Sequence, residues 1–339
     1  MEFFDTLVKK ADEESIIYAA ELIKKGEVVG MPTETVYGLA ADATNEEAVK
    51  KIFKAKGRPQ DNPLICHICD LDMMEQYVTD IPEIAYKVAE AFWPGPLTLV
   101  LPKKNTIPYS TSGGLDTVGI RFPAHKAAQQ LIKASGVTLA APSANLSGSP
   151  SPTTAKHVLD DMHGRIPFIL DGGNSDVGLE STVISFEKEA IRILRPGFVS
   201  YEDFLEVTEN VIIDEGILHS VSNAEVVRSP GMKYKHYSPD ADVTIVEGNL
   251  NAFIKFVEEN KTENTYSMIF NADKENFPYK YLTYGDTSRE QAYFIFNNLR
   301  KFDDLGADKV YVRSPRKDGI GLAVYNRLLR AAAFKVIKL

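Results

Sequence analysis

The sequence predicts an α/β fold in two parts, and three observations support that prediction. From residue 241 onward, short apolar runs alternate with helical patterns, as in a mostly parallel sheet with helices on both faces. Before residue 200, short apolar runs repeatedly end in prolines or polar turns. The length of 339 residues is enough for two domains.

The composition is that of an ordinary globular protein, with 44% hydrophobic and 25% charged residues. The formal net charge of -9 argues against a nucleic-acid module with a broad basic face, because phosphate contacts supply most of that affinity. The opening stretch MEFFDTLVKKADEES has acidic residues where a signal peptide needs an apolar core. No apolar run approaches the ~18 residues of a membrane span. We therefore expect a cytoplasmic protein that does not act on membranes.

The two cysteines, Cys66 and Cys69, form a C-x-x-C pair within a strand-like run. Their odd spacing points the two thiols to opposite faces of a strand, so we interpret them as core thiols. Because no second Cys or His pair occurs at finger spacing, the sequence argues against a zinc site.

Residues 12–25 are predicted to form an amphipathic helix whose role is packing. A short strand at residues 28–29 should end at Pro32, whose ring restricts the residue before it to extended geometry. The polar segment Thr33–Thr35 then follows a strand end, where α/β proteins commonly bind ligands.

A second helix is predicted to begin at a Thr44 cap and to end at Gly57. Basic side chains cluster where it ends, at Lys54, Lys56 and Arg58. A solvated helix C-terminus would explain these cations equally well, because the helix dipole favours them there. Two proline-stiffened turns hold Arg58 and Asn62 near the same place, which favours a polyphosphate site.

Two polar side chains lie inside predicted strands. His67 belongs to the apolar run 64–68, where a lone histidine is more often packed than a ligand, but it directly follows the basic turn. Arg121 lies in the run 117–122 and must reach water or pair with an anion. A structural salt bridge and a substrate carboxylate both meet that requirement.

A strand near residue 140 leads into a run of Ser, Gly and Pro over residues 142–152. Small residues permit close backbone approach to a ligand, and hydroxyl groups can hold phosphate. Composition alone favours an ordinary surface loop. Because Thr153 or Thr154 caps the next helix, the loop leads to a helix N-terminus, which is a favourable anion site.

Further cations and aromatic residues follow along the chain. Residues 181–184 and 191–194 are predicted as two short strands, after which Arg195 lies beside a rigid Pro-Gly turn. The proline-bounded run 229–239 carries two aromatics, two lysines and a histidine, so we expect it to fold onto another part of the protein. Near the C-terminus, residues 319–321 lack the third glycine and the acidic partner of a dinucleotide fingerprint, so that domain's ligand is not predicted.

Longer motifs resemble a known family. PTETVYGLAAD followed by KAKGRPQDNPLICHI resembles the signature of the YrdC-like family of threonylcarbamoyl-AMP synthases. FWPGPLTLVL, GLDTVGIRFPAH, APSANLSGSPSP, ESTVISF and ILRPG follow in the family's order, and SPGMKYKHYSP resembles the linker of its long, two-domain form. These matches span nearly all of residues 15–240 and are jointly specific.

The resemblance implies a fold and its boundaries. The N-terminal part would be a YrdC-like twisted mixed sheet with helices around a concave cavity. The C-terminal part would be a smaller Rossmann-like, mostly parallel α/β domain. The implied ranges are 1–206 for the catalytic domain, 207–240 for a linker that folds over the active site, and 241–339 for the C-terminal domain.

The resemblance also implies an enzyme that joins L-threonine, bicarbonate and ATP into threonylcarbamoyl-AMP and pyrophosphate. This is the first step in forming N6-threonylcarbamoyladenosine at position 37 of certain tRNAs, and the product would pass to the tRNA threonylcarbamoyl transferase. Mg2+ would accompany ATP, largely through phosphate oxygens and water, with no protein ligand assigned. Direct, stable nucleic-acid binding is not expected.

The same resemblance assigns site residues. Threonine and its carbamate would be held by Thr33, His67, Arg121, Ala141 and Ser181. ATP would be held by Lys56, Arg58, Asn62, Thr117, Ser143, Ser151, Arg195 and Tyr234. No general acid or base is assigned. Because two anions have to meet, the step needs positioning and charge neutralisation, here from Lys56, Arg58 and Arg195.

Two alternative functions follow from the same residues. A non-catalytic RNA-binding protein would need a locally basic concave face, and the acidic total speaks against it. A carbamoyl-transfer module of the kind in hydrogenase maturation proteins would need accessory zinc-finger and acylphosphatase segments, and none is visible in the sequence.

Overall fold

The computed structural model describes residues 3–60, 62–188, 190–217 and 237–339. Its N-terminal strands are β1 (Leu7–Lys10), β2 (Val29–Met31), β3 (Gly38–Asp42), β4 (Ile65–His67), β5 (Leu97–Pro102), β6 (Thr117–Arg121), β7 (Leu139–Ala140), β8 (Phe168–Asp171), β9 (Thr182–Glu187), β10 (Ala190–Arg195) and β11 (Val211–Ile213). They form one sheet in the order β1-β8-β2-β3-β7-β4-β6-β5-β9-β10-β11. The sheet contains both parallel pairs, such as β4 with β6, and antiparallel pairs, such as β5 with β6, which confirms the predicted mixed sheet.

Helices of the N-terminal part surround this sheet. They are α1 (Glu13–Lys24), α2 (Glu46–Lys56), α3 (Leu71–Tyr77), α4 (Glu83–Phe92), α5 (Tyr109–Ser112), α6 (Lys126–Ser135), α7 (Ala155–Met162) and α8 (Tyr201–Leu205). The sheet and the helices share large apolar clusters, so the core of this part lies between them.

One predicted helix cap is wrong. The side chain of Asn45, not Thr44, accepts hydrogen bonds from the backbone N–H groups of Glu47 and Ala48 at the start of α2. The hydroxyl of Thr44 instead donates to Asp42 Oδ1 at 2.7 Å. The carboxylate at the end of β3 therefore binds the threonine that the sequence pattern assigns to the helix.

The C-terminal part is a second, smaller sheet. Its elements are β12 (Asp242–Glu247), α9 (Leu250–Asn260), β13 (Thr265–Ile269), β14 (Tyr281–Thr283), α10 (Ser288–Asp304), β15 (Lys309–Arg313), α11 (Gly319–Ala331) and β16 (Val336–Lys338). The strand order is β14-β13-β15-β12-β16, and every pair is parallel. This confirms the predicted parallel sheet.

Alternate residues of β15 face different helices. Val310 and Val312 pack in one apolar cluster with residues of α10 and α11, whereas Tyr311 packs in another with Phe253 of α9. Successive side chains on a strand point to opposite faces, so the sheet is covered on both sides, as predicted.

The C-terminal part packs directly against the N-terminal part. Gly178 has a φ of +77°, and a Cβ added there would lie 2.5 Å from the backbone oxygen of Ala292 in α10. Arg300 of α10 donates to Asp161 of α7 at 2.7 Å, and both side chains are 12% exposed. The two parts thus meet through backbone approach and through a largely buried ion pair.

The predicted linker is described only in part. Strand β11 falls within the predicted linker range and pairs with β10, so the first sheet extends beyond residue 206. Residues 218–236 lie outside the described residues. The predicted boundaries of the three ranges stay a prediction. None of the helices in the described ranges is both long and apolar enough to span a membrane.

Candidate active site

The first sheet brings predicted site residues into one row. His67 on β4 and Arg121 on β6 are register partners on neighbouring parallel strands. Arg121 is in turn paired with Thr98 on β5, whose hydroxyl lies 2.8 Å from that of Ser181, just before β9. Arg195 ends β10 beside it. The strand order, rather than the order along the chain, therefore creates this neighbourhood.

A cavity of about 770 Å³, partly open to solvent, lies over this row. Its walls include many of the residues assigned from the family resemblance, namely Thr33, Lys56, Arg58, His67, Arg121, Ala141, Ser143, Ser181 and Arg195. They come from a loop, a helix end and several strand ends across the N-terminal part. Lys56, Arg121 and Arg195 thus share one cavity.

Arg121 pairs with a carboxylate that the sequence analysis does not assign to the site. Its Nη2 donates to Glu34 Oε1 at 2.5 Å, and the two side chains are 5% and 8% exposed. Its Nη1 donates to the hydroxyl of Thr35 at 2.8 Å, and its Nε makes a longer contact of 3.4 Å with the Gly95 oxygen. Among the described residues these contacts use three of its five N–H groups, so capacity for a second anion remains.

His67 is a buried neutral imidazole. Burial, together with the charge of Arg121, lowers its pKa to about 3. Its Nδ1 lies 3.2 Å from the Ile65 oxygen and 3.3 Å from the Leu139 oxygen, which assigns the ring proton to Nδ1. Nε2 therefore has a lone pair that can accept a hydrogen bond from a ligand.

Lys56 connects the end of α2 to the Ser-rich loop. Its Nζ donates to the backbone oxygens of Ser143 and Asn145, the latter at 2.8 Å, and lies 3.4 Å from Asn145 Oδ1. Gly57, at a φ of +63°, ends the helix immediately after it and redirects the chain toward Arg58. Burial, with the nearby charge of Arg58, lowers the pKa of Lys56 well below its usual value.

Arg195 holds the segment before β9. Its Nη2 donates to the backbone oxygen of Ser181 at 3.0 Å and lies 3.2 Å from the Ser181 hydroxyl. Burial lowers its pKa to about 10, so the guanidinium stays charged at neutral pH. The cavity thus keeps a fixed positive charge at this end.

Several assigned residues are not among the cavity-lining residues. Asn62 is fully buried, and neither polar atom of its side chain has a hydrogen-bond partner among the described residues. Thr117 begins β6 opposite Pro102. Ser151 is buried and donates to Glu180 at 2.6 Å. The assigned Tyr234 lies outside the described residues. Whether these residues contact ATP stays a prediction.

The family resemblance assigns no role to the carboxylates of Glu34 and Glu180. Glu34 lies within the Thr-rich loop, and Glu180 lines the cavity just before Ser181. Glu34 belongs to the motif PTETVYGLAAD and Glu180 to the motif ESTVISF, and membership of these motifs is the feature of the sequence that could have identified them as site residues. Both carboxylates pair with arginines, and within the described ranges no group of three or more His, Cys, Asp or Glu side chains could hold a metal ion.

We expect the buried neutral His67 to make stability depend on pH. Its pKa of about 3 lies below the usual value of about 6.5, so the unfolded chain binds more protons between those values and stability falls as pH falls. From pH 7 to pH 5 this effect should cost about 2 kcal/mol of unfolding free energy. Urea unfolding at pH 7, 6 and 5 measures it. His67→Gln should flatten the dependence, whereas the same change at the exposed His163 is the control.

Comparisons with known proteins agree on one family. The family described as telomere recombination, named for Sua5, YciO and YrdC, matches residues 21–197. The C-terminal domain of threonylcarbamoyl-AMP synthase matches residues 199–333. The threonylcarbamoyl-AMP synthase of Pyrococcus abyssi is 43% identical over 97% of this chain and 97% of its own length. That of Bacillus subtilis is 41% identical over 96% and 95%.

Solved structures give the same result. The crystal structure of P. abyssi Sua5 complexed with L-threonine has a TM-score of 0.90 to this chain at 41% identity, and 99% of each chain is covered. E. coli YciO has a TM-score of 0.50 at 23% identity, over 57% of this chain and 95% of its own. The second likeness, at less than 25% identity, shows a similar fold over that share of the chain and no more.

Proposed function

This chain belongs to the threonylcarbamoyl-AMP synthase family, and on that premise we propose that it converts L-threonine, bicarbonate and ATP to threonylcarbamoyl-AMP and pyrophosphate. The observation that carries the proposal is that Lys56, Arg121 and Arg195 line one cavity. Positive charge gathered in a cavity that is only partly open to solvent suits a reaction in which two anions meet.

The reaction has two bond-forming steps. The neutral amine of threonine attacks the carbon of bicarbonate or its CO2, which forms an N–C bond and yields a carbamate anion with loss of water or a proton. A carbamate oxygen then attacks the α-phosphorus of ATP, and the bond from that phosphorus to the β-phosphate bridging oxygen breaks. Pyrophosphate carries the electron pair away. Positioning and electrostatic stabilisation supply most of the catalysis in such transfers.

We propose that the row across the sheet holds the amino acid. The guanidinium of Arg121 retains N–H groups that suit a carboxylate, and His67 offers Nε2 as an acceptor for an amine N–H. Because His67 is neutral, it does not repel the ammonium form in which threonine arrives from solution. Thr33 and Ser181 place hydroxyl groups on the same cavity wall.

We propose that the phosphates of ATP lie toward Lys56, Arg58 and Arg195. The Ser-rich loop joins this side of the cavity through the bonds of Lys56 to Ser143 and Asn145. Mg2+ would then enter with ATP, because the cavity carboxylates Glu34 and Glu180 are already paired with arginines. Phosphate oxygens and water would supply its ligands, and the ion would neutralise phosphate charge.

The setting of the reaction belongs to the same proposal. A mixed anhydride of a carbamic acid and AMP is reactive toward amines, so a second enzyme that transfers its threonylcarbamoyl group must consume it. We propose that this enzyme is the tRNA threonylcarbamoyl transferase and that both act in the cytoplasm. The predicted lack of stable nucleic-acid binding is part of this proposal.

The proposal is tested by measuring pyrophosphate release from ATP by the purified full chain. Release is expected only when both L-threonine and bicarbonate are present, and mass spectrometry should find threonylcarbamoyl-AMP in the mixture. Equal release after omission of threonine would contradict the proposal. Release with carbamoyl phosphate in place of threonine and bicarbonate would favour the carbamoyl-transfer alternative.

A further inference from the structure

The C-terminal domain places one arginine against the wall of the cavity. Glu180 lines the cavity and is 7% exposed, and its Oε2 accepts a hydrogen bond of 2.7 Å from Nε of Arg327. Arg327 lies on α11 and is fully buried. Its partner is 147 residues away in the sequence, so this ion pair joins the two domains.

The second oxygen of the same carboxylate reaches the Ser-rich loop. Ser151 donates its hydroxyl hydrogen to Glu180 Oε1 at 2.6 Å, and Ser151 has no exposed surface. Arg327, Glu180 and Ser151 therefore form one continuous chain of hydrogen bonds. It leads from the C-terminal domain to the loop that is proposed to lie beside the phosphates.

The surroundings of Arg327 are not those of an optimised folding contact. Its Nη1 donates to Asn326 Oδ1 at 2.8 Å, but its buried Nη2 has no hydrogen-bond partner among the described residues. A buried guanidinium with an unsatisfied donor lowers the stability of the fold. Apolar residues of similar volume commonly stabilise a fold at least as much as a buried ion pair does, so stability alone does not explain this arginine. The placement of this pair at the cavity wall favours a role in the site.

The electrostatic reason for such a role is simple. An ionised carboxylate in the cavity wall would repel the phosphates of ATP unless a nearby cation compensates it. Although burial alone would raise the pKa of Glu180, Arg327 and Arg195 lower it, so the carboxylate stays charged and needs its partner. Arg327 is the partner with which it forms a direct ion pair.

We propose that Arg327 is a positioning residue for the nucleotide site, which neutralises Glu180 and, through it, holds Ser151 and the Ser-rich loop in place. The inference deepens the proposed function and rests on it, because it assumes that ATP phosphates occupy this side of the cavity. It gives the C-terminal domain a direct part in nucleotide binding.

The test is a double-mutant cycle on the charges of Arg327 and Glu180. Titration calorimetry measures the affinity of the full chain for ATP in each variant. Arg327→Gln removes the direct ion-pair partner of the carboxylate, so ATP affinity should fall about 10- to 100-fold. Glu180→Gln leaves Arg327 as an extra positive charge, while the amide oxygen can still accept the hydrogen bond of Ser151, so ATP binding should strengthen by about 3- to 10-fold. The double variant should recover most of the loss caused by Arg327→Gln.

Arg313→Gln is the matched control. Arg313 and Asp273 form an ion pair of 2.7 Å within the C-terminal domain, with side chains 14% and 9% exposed, and neither lines the cavity. This change should lower the thermal midpoint while leaving ATP affinity within about twofold. If Arg327→Gln binds ATP as the control does, or the double variant binds as weakly as Arg327→Gln, the proposal is wrong.

Two further readouts keep the result decisive. If Arg327→Gln does not fold, Glu180→Gln alone decides, because a purely structural pair predicts unchanged or weaker ATP binding and the proposal predicts tighter binding. ATP affinity does not require turnover. A chain that binds ATP with the expected cycle but makes no threonylcarbamoyl-AMP would therefore contradict the proposed function and leave the role of Arg327 supported.

Discussion

Replacing Arg121 with Gln is expected to lower kcat/KM for L-threonine by about 10²- to 10³-fold and to destabilise the protein by about 3–5 kcal/mol. The stability loss arises because Glu34, 2.5 Å from Nη2 of Arg121, becomes a buried carboxylate without its cation. The loss of threonine recognition arises because glutamine cannot form a charge-assisted, two-pronged contact with a carboxylate. Urea unfolding and threonine-dependent pyrophosphate release measure the two effects.

The double variant Glu34→Gln with Arg121→Gln separates these two roles. It removes both charges, so most of the lost stability should return, whereas threonine recognition should not. Arg121→Lys is a second comparison, because it keeps the charge but loses the planar fork, and it should bind threonine weakly. If the double variant regains wild-type kcat/KM for threonine, Arg121 is a structural partner of Glu34 and nothing more.

This pair illustrates why the sequence left the role of Arg121 open. The apolar run around Arg121 predicts a buried strand and therefore an anionic partner, and the structure contains both the strand and the partner. Which anion it meets depends on a loop 87 residues away, and local pattern carries no information about that distance. The arginine is paired with Glu34, and it retains N–H groups for a ligand.

Local sequence patterns predicted the secondary-structure elements better than they predicted which side chains lie close together in the fold. The alternation of apolar runs and helices predicted the parallel sheet of the C-terminal part, because its central strands β12, β13 and β15 are largely buried. The motifs predicted the family, which the comparisons confirm. The part that Glu180 plays was missed, because its partner Arg327 lies in the other domain and an isolated glutamate before a strand has no distinguishing spacing.

For the site residues too, local sequence does not predict which side chains they contact. The residue pattern indicated His67 as a candidate ligand-binding residue only because it follows the basic turn. The register of β4 against β6 places it beside Arg121. Ser151 is assigned to ATP, and that assignment stays a prediction, but its hydroxyl bond to Glu180 was not predicted. A serine in a Ser-rich loop can face a ligand or a buried carboxylate, and the fold of the N-terminal part, which places Glu180 beside Ser151, decides.

Replacing Lys56 with Met should raise KM for ATP and lower kcat/KM for ATP by about 10²- to 10³-fold. The Nζ of Lys56 is the donor that holds the backbone oxygens of Ser143 and Asn145, so its loss leaves buried acceptors unpaired and frees the Ser-rich loop. It also removes one cation from the proposed phosphate side of the cavity. Steady-state pyrophosphate release at varied ATP concentration measures the change.

The helix provides the control for this prediction. Lys54 lies on α2 two residues earlier and is exposed, so Lys54→Met removes the same charge from the same helix and should change KM for ATP by less than about twofold. Equal losses in the two variants would mean that general surface charge, and not the tie between α2 and the Ser-rich loop, governs nucleotide binding.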